Sequence, residues 1–253
     1  MAYAPTPDDR EEFRRRPEGR PVMYQNWSKL LFLHWRMDPA EIQATLPEGL
    51  TVDTFEGDAW LGLVPFFMKG IRPRGLPSVP GISNFLEMNV RTYVFDSAGR
   101  PGVWFYSLDA NQSLAVAIAQ RFFHLPYFRA DMSAQQEKGV IHYSCQRRGE
   151  PSEAESNFVW RAGNSLPAPE QGSLEYFLVE RYLLFSHRER DGQLFCGRVH
   201  HSPYALLEAL IEEYTDGATS LAGFNIGDRR PDHAVYSSNL DVDVFGITSA
   251  SAS

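Results

Sequence analysis

The stretch from Asn84 to Ala110, NFLEMNVRTYVFDSAGRPGVWFYSLDA, consists of two extended runs joined by a turn at Asp96–Gly102. In an extended chain alternate side chains point to opposite faces. Leu86, Met88, Val90, Thr92 and Val94 therefore share an apolar face, while Phe85, Glu87, Asn89, Arg91 and Tyr93 share the other. The even face needs a core. The odd face has two readings: a salt-bridged sheet surface in contact with water, or the wall of an interior cavity. Phe85 and Tyr93 flank the charges, and a mixed apolar and polar lining suits a small-molecule pocket, which favours the cavity.

The rest of the chain continues the extended theme. NWSKLLFLHWRM reads as a buried strand, and Asp38, Pro39 and Glu41 open a short helix over about 38–45 that PEG at Pro47–Gly49 stops. Leu50–Phe55 and Ala59–Met68 read as a hairpin around Glu56-Gly57-Asp58, with Pro65 marking a bulge or an edge. RPRGLPSVPGIS, Arg72–Ser83, is a stiff loop. After the Asn84–Ala110 hairpin, NQSLAVAIAQRFFHL predicts a helix capped by Asn111 or Ser113 and ended by Pro126. Strands are expected near 138–147, 155–162, 174–188 and 193–201. SPYALLEALIEEYT predicts a second amphipathic helix, with Ser202 as cap and Leu206, Leu207, Leu210, Ile211 and Tyr214 as its stripe. Roughly nine strands and three helices, without a strand–helix–strand rhythm, imply a mainly β fold. A closed antiparallel β-barrel around a small-molecule cavity gives the polar face of Glu87 and Arg91 somewhere to point.

Composition sets the limits. At 253 residues, 43% apolar and 13% aromatic, the chain supports one sizeable core. Residues 1–21 hold many charges and prolines and are expected to be a disordered or loosely attached tail, with 22–248 as a single domain. A net charge of -8 argues against nucleic acid as a partner. No N-terminal signal and no apolar run near ~20 residues are visible, so the expectation is a cytoplasmic protein with no membrane partner. Cys145 and Cys196 read as buried thiols. The sequence contains no GxGxxG after a strand, no GxxxxGK[ST], no HExxH and no GxSxG. Adjacent His200 and His201 would face opposite sides of a strand and make a poor two-ligand unit, so neither a cofactor nor a metal is expected.

The candidate site is therefore built on the sheet. Glu87 is the candidate proton-transfer group. Arg91, Asn89 and Tyr93 are candidate ligand contacts, joined by Trp104 and Tyr106 on one face of the returning strand. His124 either caps the end of the helix or belongs to the pocket. Asp109 either caps that helix at its start or joins the polar cluster. A guanidinium in an aromatic setting offers a fixed fork to a carboxylate or carbonyl.

FLHWRM, GDAWLGLVPFFMKGIRP, FLEMNVRTYV, GRPGVWFYSLDA and FFHLPYFRADM, in this order, resemble the YqjF-like family, DUF2071, over about residues 22–245. That family is similar in fold to acetoacetate decarboxylase, which implies a cone-shaped antiparallel β-barrel around a cavity. The decarboxylase uses a lysine that forms a Schiff base, its pKa lowered by a neighbouring lysine. The best counterpart here is HLPYFRA, where Tyr127, Phe128 and Arg129 follow Pro126 and none can form an imine. Lys29, Lys69 and Lys138 complete the lysine inventory, and each reads as a surface residue. The resemblance implies that Glu87 stands for the carboxylate on the decarboxylase barrel wall, with Arg91 an addition beside it and Tyr127 filling the space of the missing lysine. The expected function is a pocket for a small anionic or carbonyl-bearing organic molecule, without Schiff-base chemistry. The competing readings are a structural module, for instance a homodimer using the Arg72–Ser83 loop, and an acid–base enzyme using Glu87.

Overall fold

The computed structural model describes residues 3–113 and 123–250. Among the described residues, thirteen strands form one hydrogen-bonded sheet. In chain order they are β1 (Met23–Met37), β2 (Leu50–Val52), β3 (Ala59–Pro73), β4 (Phe85–Asp96), β5 (Pro101–Ala110), β6 (Tyr127–Glu137) and β7 (Val140–Arg147). Then come β8 (Ser156–Ser165), β9 (Leu183–Arg188), β10 (Gln193–His201), β11 (Leu206–Thr215), β12 (His233–Val244) and β13 (Thr248–Ser249). The α-helices among the described residues are short: α1 (Pro7–Arg14), α2 (Pro39–Gln43), α3 (Leu174–Val179) and one turn at Ala218–Leu221.

Two extra pairings, β5 with β4 and β10 with β12, make the sheet close on itself twice. A larger ring runs β4–β5–β6–β7–β8–β11–β12–β1–β3 and back to β4. A smaller ring leaves β5 for β9, crosses to β10 and rejoins at β12. The two share β12, β1, β3, β4 and β5, so these strands have an interior on both faces. Met88 and Val90 of β4 pack in one core with Leu31, Leu33, Trp35, Phe158 and Trp160. Phe85 and Tyr93 belong to a separate core with Phe32, Phe66, Phe177 and Val199. Both faces of the Asn84–Ala110 hairpin are thus interior. Pro65 sits opposite Met88 inside β3, and the irregularity it signals appears across the strand pair. There β1 bulges between Ser28 and Leu33, with Lys29 at φ 55. The bulge shifts the alternation of β1. Before it Met23 and Trp27 face the smaller ring; after it Leu30 and Phe32 do.

Several expectations need correction. Leu206–Thr215 is a strand, not a helix: β8 and β12 hydrogen-bond its two edges, and those pairings outweigh the helix propensity of its leucines. Leu174–Val179 is a helix, capped by Ser173 accepting from Tyr176 N at 3.2 Å, so the strand there begins only at Leu183. Leu50–Val52 pairs with β4, not with β3. Phe55 and Asp58 do bridge across a two-residue turn, where Glu56 and Gly57 have φ 53 and 91. Tyr127–Glu137, not foreseen as a strand, pairs with β5 over Tyr127, Phe128 and Arg129 and with β7 from Ala130 to Glu137. Asp38 caps α2 as expected, accepting from Ala40 N at 2.7 Å. The helix expected between Asn111 and Pro126 lies largely outside the described residues.

Within residues 3–21, a helix packs on the sheet where a loose tail is expected. Thr6 and Asp9 form a capping box that starts α1. Arg10 then donates to Asp53 from Nη1 and Nη2, at 2.7 and 2.8 Å. From the other side, Arg198 donates to the carbonyls of Phe13 and Arg15, at 3.2 and 2.6 Å. A segment poor in apolar residues docks through charge and backbone acceptors instead.

Candidate functional site

Inside the smaller ring lies a concavity of about 480 Å³ with a mostly apolar wall. Phe85, Glu87 and Arg91 of β4 line it, together with Val103, Phe105 and Leu108 of β5. Leu76, Val79 and Ile82, from the loop between β3 and β4, form its rim.

Arg91 is buried. Its Nη2 donates to the Leu178 carbonyl at 3.4 Å and the Tyr93 hydroxyl at 3.5 Å, both long, while its Nε has no partner. Its guanidinium lies 5.5 Å from the centre of the Phe32 ring and 5.7 Å from that of Tyr93. Among the described residues no carboxylate pairs with it. Tyr93 is held from behind by His34, whose Nε2 lies 2.8 Å from the hydroxyl and whose Nδ1 lies 3.0 Å from His233 Nδ1. Burial, with His233 and Arg91 nearby, keeps His34 well below the ordinary imidazole value, so it is neutral.

Arg181, from the segment joining α3 to β9, is the second buried guanidinium in the wall. Its Nη1 binds Asp53 at 2.8 Å, its Nε binds the Phe177 carbonyl at 2.6 Å, and its Nη2 has no partner. Burial lowers it to about 10 against the pull of Asp53, so it stays cationic at neutral pH. Burial opposes ionisation of Asp53, yet Arg181 and Arg10 outweigh it and hold the carboxyl below its usual range. Asp53 thus balances one of the cations Arg10 and Arg181, and none of its charge is spent on Arg91.

Glu87 behaves differently. Burial raises its pKa to about 8, against the hydroxyl of Tyr127, which donates to its Oε2 at 2.9 Å; Asp109 adds a further upward push. Tyr143 donates to the Glu87 backbone carbonyl at 2.8 Å and fixes the strand there. At neutral pH Glu87 is mainly a protonated carboxyl. Asp109 forms a bidentate pair with Arg147, at 2.7 and 2.8 Å, and is a partner in the polar cluster behind Glu87.

Of the residues singled out from sequence, Glu87, Arg91 and Tyr127 line the concavity. Asn89 is buried between the first two, with its Oδ1 unpartnered, and Tyr93 is buried behind Arg91. Trp104 and Tyr106 lie elsewhere. Trp104 packs on a third core with Leu50 and Phe185, while Tyr106 packs on Phe224 and lies 2.7 Å from Thr45 Oγ1. A bulge between β4 and β5, at Val90/Arg91, puts Phe105 opposite Arg91 and gives Val103 and Phe105 the inner face. His124, at φ 51, lies tilted against Phe195, 5.0 Å between ring centres, outside the concavity. The sequence reading missed Arg181 and Asp53; the signal was charge inside an apolar run, the adjacent Glu180 and Arg181 in FLVERYLLF and the lone Asp53 in LTVDTF. None of the three lysines is in the wall. Lys29 bonds to Gln136 at 2.5 Å over the Phe67 ring, and Lys69 and Lys138 are exposed. No helix among the described residues is long and apolar enough to cross a membrane.

A family described as an uncharacterised conserved protein, DUF2071, matches residues 24–241. The uncharacterised protein YqjF of Bacillus subtilis is 37% identical over 215 residues, 85% of this chain and 87% of that one. Among solved structures, an acetoacetate decarboxylase-like enzyme from Sphingomonas wittichii RW1 superposes with a TM-score of 0.62 at 17% identity, over 93% of this chain and 95% of that one. The acetoacetate decarboxylase of Legionella pneumophila gives 0.60 at 14% identity, over 99% and 98%. The enduracididine biosynthesis enzyme MppR, complexed with pyruvate, gives 0.61 at 14%, over 94% and 93%. At these identities the structures share the fold, which is acetoacetate decarboxylase-like, and the match in sequence places this chain in the DUF2071 family.

Proposed function

We propose that the concavity holds a small organic anion, with Arg91 as its anchor and without a Schiff-base step. One observation carries this reading: a buried guanidinium facing an apolar space, with no carboxylate partner among the described residues. A buried cation without a counter-charge is costly, and a bidentate carboxylate offsets that cost. Glu87 does not supply the counter-charge, because it is protonated at neutral pH and turned to Tyr127. The absence of a lysine from the wall supports non-covalent binding. The pyruvate held by MppR, a structure of the same fold, is a precedent for a small carboxylate in this architecture.

Thermal shift with short carboxylates, ketones and matched neutral analogues tests the reading. Carboxylates should raise the melting temperature of the wild type and leave Arg91→Ala unmoved, with Arg91→Lys intermediate because a point charge replaces the fork. Equal shifts in wild type and Arg91→Ala, or shifts from the neutral analogues as large as from the acids, would refute it.

A further inference from the structure

The wall is longer and more apolar than anchoring a small acid requires. Along β4 it extends from Phe85 to Arg91, six steps of strand and so ~20 Å. Phe85 adjoins the rim loop, whose Leu76, Val79 and Ile82 face the concavity yet remain 59%, 47% and 38% exposed. Between rim and guanidinium the wall is built from aliphatic and aromatic groups such as Met68, Ile71, Phe105 and Leu108. Apart from Arg181 Nη2, which has no partner, the polar groups along the way are engaged. Gln25 Oε1 accepts from Trp27 Nε1 at 2.8 Å, Ser83 Oγ accepts from Val79 N at 2.7 Å, and Glu87 holds the Tyr127 hydroxyl. An extended molecule in this space meets a cationic end at Arg91, an apolar path, and three uncovered aliphatic side chains at the far end.

We infer that the occupant is a straight-chain aliphatic carboxylate, octanoate to dodecanoate in size, with its carboxylate at Arg91 and its methyl end at Leu76, Val79 and Ile82. This rests on the anion reading above and adds the tail to it. A molecule the size of pyruvate leaves most of the 480 Å³ empty and the rim exposed. An acyl chain removes both sets of apolar surface from water.

Trp27 lies in the wall, so its fluorescence reports occupancy. The probes are acetate, hexanoate, octanoate, decanoate and dodecanoate, each below its micelle concentration, with the matching primary alcohols. Each added methylene should tighten Kd about threefold to fourfold, levelling off once the chain reaches the rim. The alcohols should bind at least tenfold more weakly than the acids. Leu76→Ser/Ile82→Ser alters two exposed side chains, so the fold is not at risk, and should weaken dodecanoate at least fivefold more than hexanoate. If acetate binds as tightly as decanoate, the aliphatic tail is wrong while the anion reading stands. If alcohols and acids of equal length bind alike, the carboxylate anchor is wrong and both fall. If no acid of any length binds, both fall as well.

Discussion

Glu87 is buried on a strand wall, and its energetics follow from where its proton sits. In the unfolded chain it titrates near 4.5; in the native state burial raises it to about 8. Between those values the native protein holds a proton that the unfolded chain has released. Stability from this group is therefore full below about pH 4.5, declines as pH rises, and is lost above about pH 8. Glu87→Gln keeps a side chain of the same shape that still accepts from Tyr127, and removes the titration. The variant should gain on the wild type by up to about 4 kcal/mol between pH 4.5 and pH 8.5. Urea unfolding of both proteins across that range checks this, and parallel stability curves would contradict it. Tyr127 and Tyr143, which contact Glu87, are themselves pushed upward by burial and stay neutral throughout the window, so they do not mask the slope. The alternation of NFLEMNVRTYV puts Glu87 and Arg91 on one face, and both line the concavity, because a period of two needs no tertiary information. Trp104 and Tyr106 were misplaced because a bulge opposite Arg91 reverses the facing of β5, and nothing in GRPGVWFYSLDA marks it.

At the scale of elements, α1 illustrates how a charged segment becomes part of a fold. Its Arg10 joins Arg181 on Asp53, so a helix near the N-terminus is tied to the wall of the concavity through one carboxylate. Removing a partner from a buried pair costs most when it strands a charge. Asp53→Asn leaves Arg181 and Arg10 without a carboxylate and should cost about 3–5 kcal/mol. Arg10→Ala leaves the Asp53–Arg181 pair intact and should cost about 1–2 kcal/mol. Chemical denaturation gives both values, and an equal or reversed order would show that α1, not the Asp53 carboxylate, carries the coupling. The docking was illegible in MAYAPTPDDREEFRRRPEGRP because it depends on a donor from β10, Arg198, and on Asp53, far along the chain. The same reason explains Leu206–Thr215. Its LLEALIEEYT stripe fits a helix as well as a strand, and pairing with β8 and β12 decides between them. Short local signals fared better: the Asp38 cap and the Gly57 turn are set by residues within a few positions of each other.

At the scale of the molecule, the double closure of the sheet is what separates a filled core from a concavity. The larger ring is packed by Leu33, Trp35, Val90, Phe158 and Trp160, while the smaller ring keeps space beside Arg91. The smaller ring depends on the parallel contact between β5 and β9, which pairs Val103 with Leu184 and Trp104 with Phe185. Gly102 permits that contact. A Cβ there would stand 2.7 Å from Phe185 Cε2 and 2.8 Å from the Leu183 carbonyl oxygen, closer than atoms can pack. Gly102→Ala must therefore move β9 away from β5. The larger ring passes from β5 to β6 at the other end of the strand, where Leu108 pairs with Tyr127, and is not touched. The expected cost is about 1–3 kcal/mol, and it should be local. Amide exchange should rise in β9 and β10 while β7 and β8 keep their protection, and carboxylate binding should weaken because Val103, Leu183 and Leu184 line the site. Gly62→Ala is the comparison: its Cβ would meet side-chain atoms of His34, Arg91 and Tyr93 at 3.2–3.3 Å, where small shifts relieve the contact. It should perturb binding through Arg91 without raising exchange in β9. If Gly102→Ala exchanges uniformly across both rings, the two closures are not independent, and the concavity is a property of the whole sheet rather than of its smaller ring.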